Sequence, residues 1–173
     1  DEYREQRRGG QGKAAASVKE EDLIQNLYVL SSHVQILCFT TKGKVFWLKV
    51  YEIPVASRTS KGRPLVNMLN LDDDERVSDI LPVEEFSDDK FIFMATRKGI
   101  TKKTNLSLFA RKWKSGIKAI NLDEDDRLIG TAITDGSQEI LLASSAGKLI
   151  RFNESKVRAM GSCLLYTSDA ADE

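Results

Sequence analysis

The chain has 173 residues, 26 Lys or Arg balanced by 26 Asp or Glu, and 41% hydrophobic residues. It is long enough to form a hydrophobic core, and it contains no apolar run of the length that spans a membrane. Two cysteines are too few for a disulfide framework and no secretory signal opens the sequence, so a cytoplasmic protein is predicted.

The first distinctive segment is a basic, glycine-rich loop. Residues 6–12 read QRRGGQG and are followed by Lys13. Glycine allows a main chain to approach a phosphate closely and to present its N–H groups. Composition alone is equally typical of a flexible linker.

Short β-strands are predicted along the rest of the chain, because β-branched and aromatic residues form short runs that turn residues separate. Glycine between two such runs supplies the positive φ of a hairpin turn. The apolar run around Cys38 predicts a buried free thiol. The predicted strands span residues 35–40, 45–50, 77–81, 91–95, 128–133, 140–143 and 149–152.

Three landmarks recur in the same order about every 50 residues. Hairpin glycines lie at 43, 99 and 147, basic loops follow around Gly62, Gly116 and Gly161, and acidic turns follow at 71–77 and 122–128. Such a period predicts an all-β fold of four-stranded units stacked as blades. Stacking buries the apolar surface that one unit cannot bury alone. The repeats are predicted at about 13–62, 63–116 and 117–161.

The balanced net charge hides a segregation along this repeat. Residues 42–63 hold six basic residues and one acid, and residues 97–118 hold eight basic residues and no acid. Residues 72–89 hold nine acids and one Arg, and residues 123–139 hold six acids and one Arg. Because segments of like charge recur at the same position in each repeat, a basic band is predicted on one surface, with an acidic rim elsewhere. A basic band is suited to a polyanion. The alternative is that turn lysines only keep edge strands soluble.

The sequence resembles a known family over nearly all of residues 1–161. Residues 6–12 are similar to the signature box of the C-terminal domain of bacterial DNA gyrase A, which usually has lysine where this chain has Gln11. Further similar motifs are Lys19-Glu20-Glu21-Asp22, Arg63-Pro64-Leu65-Val66-Asn67, Ile80-Leu81-Pro82-Val83 and Val157-Arg158-Ala159-Met160-Gly161. The resemblance implies a six-bladed β-pinwheel, of which about three blades are present here.

The resemblance also implies a function. In that family DNA wraps around the basic perimeter in a positive crossover, and the wrap supports ATP-dependent negative supercoiling by a type IIA topoisomerase. The implied partners are double-stranded DNA, gyrase B and a second copy of gyrase A in a heterotetramer, in the bacterial cytoplasm at the nucleoid. ATP and magnesium are used through gyrase B, and no cofactor or catalytic residue is expected in this chain.

The predicted DNA-binding residues combine the box with basic residues of the loops and hairpins. Contacts to phosphates predict salt-sensitive binding without sequence preference. These residues are Gln6, Arg7, Arg8, Gly9, Gly10, Gln11, Gly12, Lys13, Lys42, Lys44, Lys61, Arg63, Lys98, Lys102, Lys103, Lys114, Lys118, Lys148 and Arg151.

Other assignments are open or disfavoured. A similar domain of topoisomerase IV has a degenerate box, and a propeller-like protein-interaction module is a second alternative. No residue matches the tyrosine nucleophile of the type IIA topoisomerase. His33 has no second histidine with which to bind a metal. The acidic turns are predicted to be solvated rather than to bind a metal.

The C-terminal residues 162–173 form a segment that breaks the third repeat. They resemble the translation of an adapter used in DNA sequencing libraries, so a non-native tail is predicted. Without its three acids the chain would carry 26 basic and 23 acidic residues, a net charge of +3.

Overall fold

The computed structural model describes residues 24–57 and 60–161, which contain nine β-strands. The predicted box and the predicted tail lie outside the described residues. The strands are β1 (Gln35–Thr40), β2 (Lys44–Lys49), β3 (Val77–Val83), β4 (Phe91–Thr96), β5 (Thr101–Asn105), β6 (Ile117–Lys118), β7 (Leu128–Thr134), β8 (Glu139–Ala143) and β9 (Leu149–Asn153). Short 3₁₀ helices span Val50–Glu52, Leu65–Asn67, Leu106–Phe109 and Glu154–Lys156.

The strands form three antiparallel sheets with a common plan. Each begins with a hairpin, β1–β2, β4–β5 or β8–β9, whose turn contains a glycine with positive φ. In the first two sheets the strand after the acidic turn, β3 or β7, pairs with the first hairpin strand. The predicted all-β repeat is thus confirmed, and so is a fold of stacked, propeller-like blades.

The first sheet also takes a strand from the following repeat. Its order is β3-β1-β2-β6, and β6 pairs with β2 through Lys44 opposite Lys118 and Val45 opposite Ile117. The main chain approaches closely here, because a Cβ on Gly43 would lie 2.6 Å from the carbonyl oxygen of Ile120. Strand sharing therefore attaches the segment after the second hairpin directly to the first sheet.

The core lies on both faces of the first sheet. Leu37, Phe39 and Val45 pack toward the second repeat with Phe109 and Leu128. Burial of each such side chain contributes about 1.5–3 kcal/mol. The opposite face is covered by the 65–71 segment, which packs on buried side chains of β1 and β2. These are Ile36, Cys38, Phe46 and Leu48.

All seven predicted strands are present, with small changes at their ends. Strands β5 and β6 were not predicted. The predicted buried thiol is confirmed, since Cys38 is free and 1% exposed, and burial raises its pKa to about 11. Within the described ranges, no helix is long and apolar enough to cross a membrane.

The predicted repeat boundaries do not coincide with the limits of the sheets. The first sheet combines β1 and β2 with β3, which lies after the boundary at 62/63, and with β6, which lies after that at 116/117. The boundaries follow the order of landmarks along the sequence and stay a prediction.

Candidate nucleic-acid interface

The three hairpins place their basic residues in equivalent, ordered turns. The hydroxyl of Thr40 accepts a hydrogen bond from the backbone N–H of Lys44 at 3.2 Å. Thr96 does the same for Ile100, and Ser144 for Lys148, both at 3.1 Å. A side-chain acceptor and a glycine with positive φ therefore fix each turn.

Acidic residues neutralise the lysines of the first hairpin. The ammonium nitrogen of Lys42 lies 2.5 Å from Asp74 Oδ1, and that of Lys44 lies 3.0 Å from Asp72 Oδ2. These hydrogen bonds raise the pKa of each lysine and lower the pKa of each carboxyl group, because they favour the charged forms. The pairs are partly exposed, so their contribution to stability is small.

The second hairpin repeats this pairing. Lys98 forms an ion pair with Asp125 of the second acidic turn, which raises the pKa of the lysine and lowers that of the acid. Basic and acidic segments of the sequence therefore contact each other at the hairpin turns. The prediction of a basic surface separate from an acidic rim is wrong for Lys42, Lys44 and Lys98.

The acidic turns also contain a buried acid. Glu75 is 2% exposed and Asp126 is 9% exposed. Glu75 accepts hydrogen bonds from the hydroxyl of Thr40 at 2.5 Å and from the backbone N–H of Asp72 at 3.2 Å. Asp72 and Asp74 are therefore solvated as predicted, but Glu75 and Asp126 are not. The two buried acids connect each acidic turn to its hairpin, since Glu75 bonds Thr40 and Asp126 accepts from the backbone N–H of Lys98.

Two predicted DNA-binding lysines require correction. Lys102 and Lys103 belong to β5 and are 8% and 6% exposed. Their ammonium groups donate to the carbonyl oxygens of Ala119 at 2.8 Å and Glu154 at 3.0 Å, and that of Lys103 lies 5.0 Å from the ring centroid of Phe91. Burial therefore removes both from the surface that could contact DNA.

The remaining predicted basic residues are exposed. Arg151 lies 3.7 Å from a carboxylate oxygen of Glu139, a pair that is largely exposed on both sides. The exposed residues are Lys61, Arg63, Lys114, Lys118, Lys148 and Arg151. The box residues and Lys13 lie outside the described residues, so their role stays a prediction.

Two exposed basic residues, one from each of the first two basic loops, line one cavity, which we call the inter-repeat cleft. Arg63 from the first basic loop and Lys114 from the second line it, together with Trp47, Trp113 and Glu52. The cleft has a volume of about 420 Å³ beside β2. It thus brings together cations that are about 50 residues apart in sequence.

Hydrogen bonds and close packing fix the second basic loop against the first repeat. The indole N–H of Trp47 donates to the carbonyl oxygen of Phe109 at 2.8 Å. Gly116 has φ +70°, and a Cβ there would lie 2.7 Å from the ring of Phe46. A side chain at position 116 would separate the loop from β2, so glycine is required at this position.

Sequence reasoning missed Arg111 and Trp113. The guanidinium carbon of Arg111 lies 4.3 Å from the ring centroid of Trp113, within the range of a cation–π contact. Trp113 is 39% exposed. A tryptophan between Lys112 and Lys114 in a polar loop was the available signal, because large aromatic side chains are seldom left in a solvated turn without a contact.

Comparisons with known proteins agree with this architecture. The profile of the family "DNA gyrase C-terminal domain, beta-propeller" matches residues 1–31, 35–84, 90–135 and 138–162. DNA gyrase A of Aeromonas salmonicida is 54% identical over 97% of this chain, and that of Haemophilus influenzae is 49% identical over 99%. The chain spans 18% and 20% of their respective lengths.

A solved structure shows the same fold. The crystal structure of the C-terminal domain of DNA topoisomerase IV superposes with a TM-score of 0.69 at 30% identity. The match covers 76% of this chain and 41% of the other.

Proposed function

The chain belongs to the family of DNA gyrase C-terminal β-propeller domains, and on this basis we propose that it binds and wraps double-stranded DNA without sequence preference. The observation that carries the proposal is that Arg63 and Lys114, from two different basic loops, line the same cavity, the inter-repeat cleft. Exposed cations are the groups that contact phosphates, and phosphate contacts dominate sequence-independent affinity.

None of the helices within the described ranges is suited to reading bases. Sequence is commonly read by a helix or a two-stranded ribbon inserted in the major groove. The helices within the described ranges are 3₁₀ segments of three or four residues, too short for that role. The exposed cations lie instead on loops and strand edges, from which they would contact phosphates along a curved path.

In the parent protein this chain would serve as the wrapping part of DNA gyrase A. Presentation of a wrapped segment would support negative supercoiling by a type IIA topoisomerase that uses ATP and magnesium through gyrase B. The assembly would contain a second copy of gyrase A and act on the nucleoid in the bacterial cytoplasm. The proposal rests on 54% identity to a DNA gyrase A, and residues 6–12 would close the wrap.

A second candidate is the equivalent domain of topoisomerase IV. It is favoured by the superposition on the C-terminal domain of that enzyme with a TM-score of 0.69. The QRRGGQG sequence at residues 6–12 favours gyrase, since the box is degenerate in the topoisomerase IV domain.

The proposal is tested by titrating a labelled random-sequence duplex with the 173-residue chain at increasing salt. A protein that contacts about six phosphates loses at least about 10³ in affinity between 50 and 200 mM salt. We expect a steep linear fall of log affinity with log salt concentration. A flat dependence would exclude phosphate wrapping and favour a protein-interaction module.

Wrapping is distinguished from simple binding by topology. Nicked circular DNA is sealed in the presence of the chain and then freed of protein. A wrap in a positive crossover leaves a positive shift in linking number, whereas binding to straight DNA leaves none. An unchanged linking number together with steep salt dependence would reduce the function to DNA binding alone.

A further inference from the structure

We propose that the inter-repeat cleft is a single phosphate-binding subsite shared by Arg63 and Lys114, with Trp113 as its positioning residue. The inference rests on the proposed function and assigns residues to it. It differs from a general basic perimeter, because two cations from different basic loops would contact the same phosphate.

The Lys114 side of the subsite is held by contacts between the second basic loop and β2. Pairing of β6 with β2 begins immediately after the second basic loop, through Ile117 and Val45. The indole N–H of Trp47 bonds the carbonyl oxygen of Phe109 immediately before that loop. Both ends of the loop are therefore attached to the first repeat, and Lys114 lies between them.

Trp113 is the residue that we assign to position Lys114 at the cleft. Its ring lines the cavity next to Lys114 and contacts the guanidinium group of Arg111 at 4.3 Å. An aromatic ring has few rotatable bonds and can pack and stack at the same time. Without the ring, Arg111 would lose this contact, and Lys114 would lose its aromatic neighbour in the loop.

The charge of the cleft suits a phosphate diester. Arg63 presents a planar donor group that matches phosphate oxygens, and Lys114 adds a second positive charge. One acid, Glu52, also lines the cavity. Its carboxylate accepts a hydrogen bond from the backbone N–H of Lys49 at 2.7 Å, which fixes it at the end of β2. The two cations thus exceed the single acid.

The shared subsite is tested by a double-mutant cycle on DNA binding. The proteins are the 173-residue chain, Arg63→Ala, Lys114→Ala and the double variant, each titrated with the labelled random-sequence duplex at several salt concentrations. For one shared phosphate, each single variant should lose nearly as much affinity as the double. The double variant should reduce by about one the salt slope, which is the steepness with which log affinity falls as log salt concentration rises. If the fold-losses of affinity in the two single variants instead multiply to give the loss in the double variant, and the slope of the double variant is lower by about two, the contacts are independent and the proposal is overturned.

The role of Trp113 is tested by Trp113→Ala and Trp113→Phe. We expect Trp113→Ala to lower the salt slope as Lys114→Ala does and Trp113→Phe to restore it, with similar thermal unfolding for all three proteins. A normal slope for Trp113→Ala would contradict a positioning role. The matched control is Lys156→Ala, since Lys156 is exposed and lies outside the cleft.

These outcomes separate the inference from the proposed function. Steep salt dependence in the unaltered chain with unchanged slopes in the cleft variants would refute the subsite alone. Salt-independent binding by the unaltered chain would refute both.

Discussion

The hairpin turns and the inter-repeat cleft contain similar basic residues in opposite electrostatic settings. At the hairpins, Lys42 and Lys98 are paired with acids of the following turn. In the cleft, Arg63 and Lys114 from two basic loops line one cavity that contains a single acid. Charge density along the sequence therefore does not by itself identify the surface available to DNA.

Strand direction explains this difference. The acidic turn immediately precedes β3, and β3 runs antiparallel beside β1. The start of β3 must then lie beside the end of β1, where the hairpin turn begins. The strand register shows this directly, because Thr40 at the end of β1 pairs with Val77 at the start of β3. The basic loops around Gly62 and Gly116 come earlier in the same connections, before the acidic turns.

The largest expected effect at the hairpins is on stability. Glu75→Ala should lower the free energy of unfolding by about 2–4 kcal/mol, because it leaves the Thr40 hydroxyl and the Asp72 N–H without their acceptor in a buried site. Urea denaturation measures this change. Asp73→Ala is the control, since Asp73 is exposed, and an equal loss in both variants would show that Glu75 has no special role.

The next effect is a gain of DNA affinity on removing acidic partners. Asp72→Asn with Asp74→Asn should release Lys42 and weaken the pairing of Lys44, so the duplex should bind several-fold more tightly at low salt. The same titration measures it.

A double variant at Glu84 and Glu85 to glutamine has the same change in net charge at exposed positions away from the hairpin. An equal gain in both double variants would show that net charge, and not release of paired lysines, controls affinity.

The smallest expected effect is a pH dependence of stability. Lys98 lowers the pKa of Asp125 in the folded chain. The contribution of this pair is present above the unfolded value of about 3.9 and is lost as pH falls through the lower folded pKa. Thermal unfolding between neutral pH and pH 3 should show a slightly steeper acid loss in the unaltered chain than in Lys98→Ala. Identical profiles would indicate that the pair does not contribute.

Much of the fold was predictable from local pattern. Residues 35–40 were predicted as a strand with the bounds that β1 has, because an apolar run before a glycine turn satisfies both burial and hairpin geometry. Strand β5 was missed because Thr101–Asn105 contains two lysines, which are rarely buried. Their burial depends on carbonyl acceptors from distant residues, which a local pattern does not reveal.

The candidate site was predictable in composition but not in arrangement. Arg63 and Lys114 were selected from basic loops, yet the place of Lys114 beside β2, in the cavity that Arg63 also lines, depends on the pairing of β6 with β2. A two-residue strand carries almost no periodic signal. The neutralisation of Lys42 and Lys98 likewise depends on which strand returns beside β1 or β4, a property of topology.

The contrast between hairpins and cleft is tested most directly by the salt slopes of DNA binding for two double variants of the 173-residue chain. Lys42→Ala with Lys98→Ala removes paired hairpin lysines, and Arg63→Ala with Lys114→Ala removes the cations of the cleft. We expect an almost unchanged slope for the hairpin variant and a decrease of about one for the cleft variant. A decrease in the hairpin variant with an unchanged slope in the cleft variant would contradict the assignment of the DNA contact to the cleft.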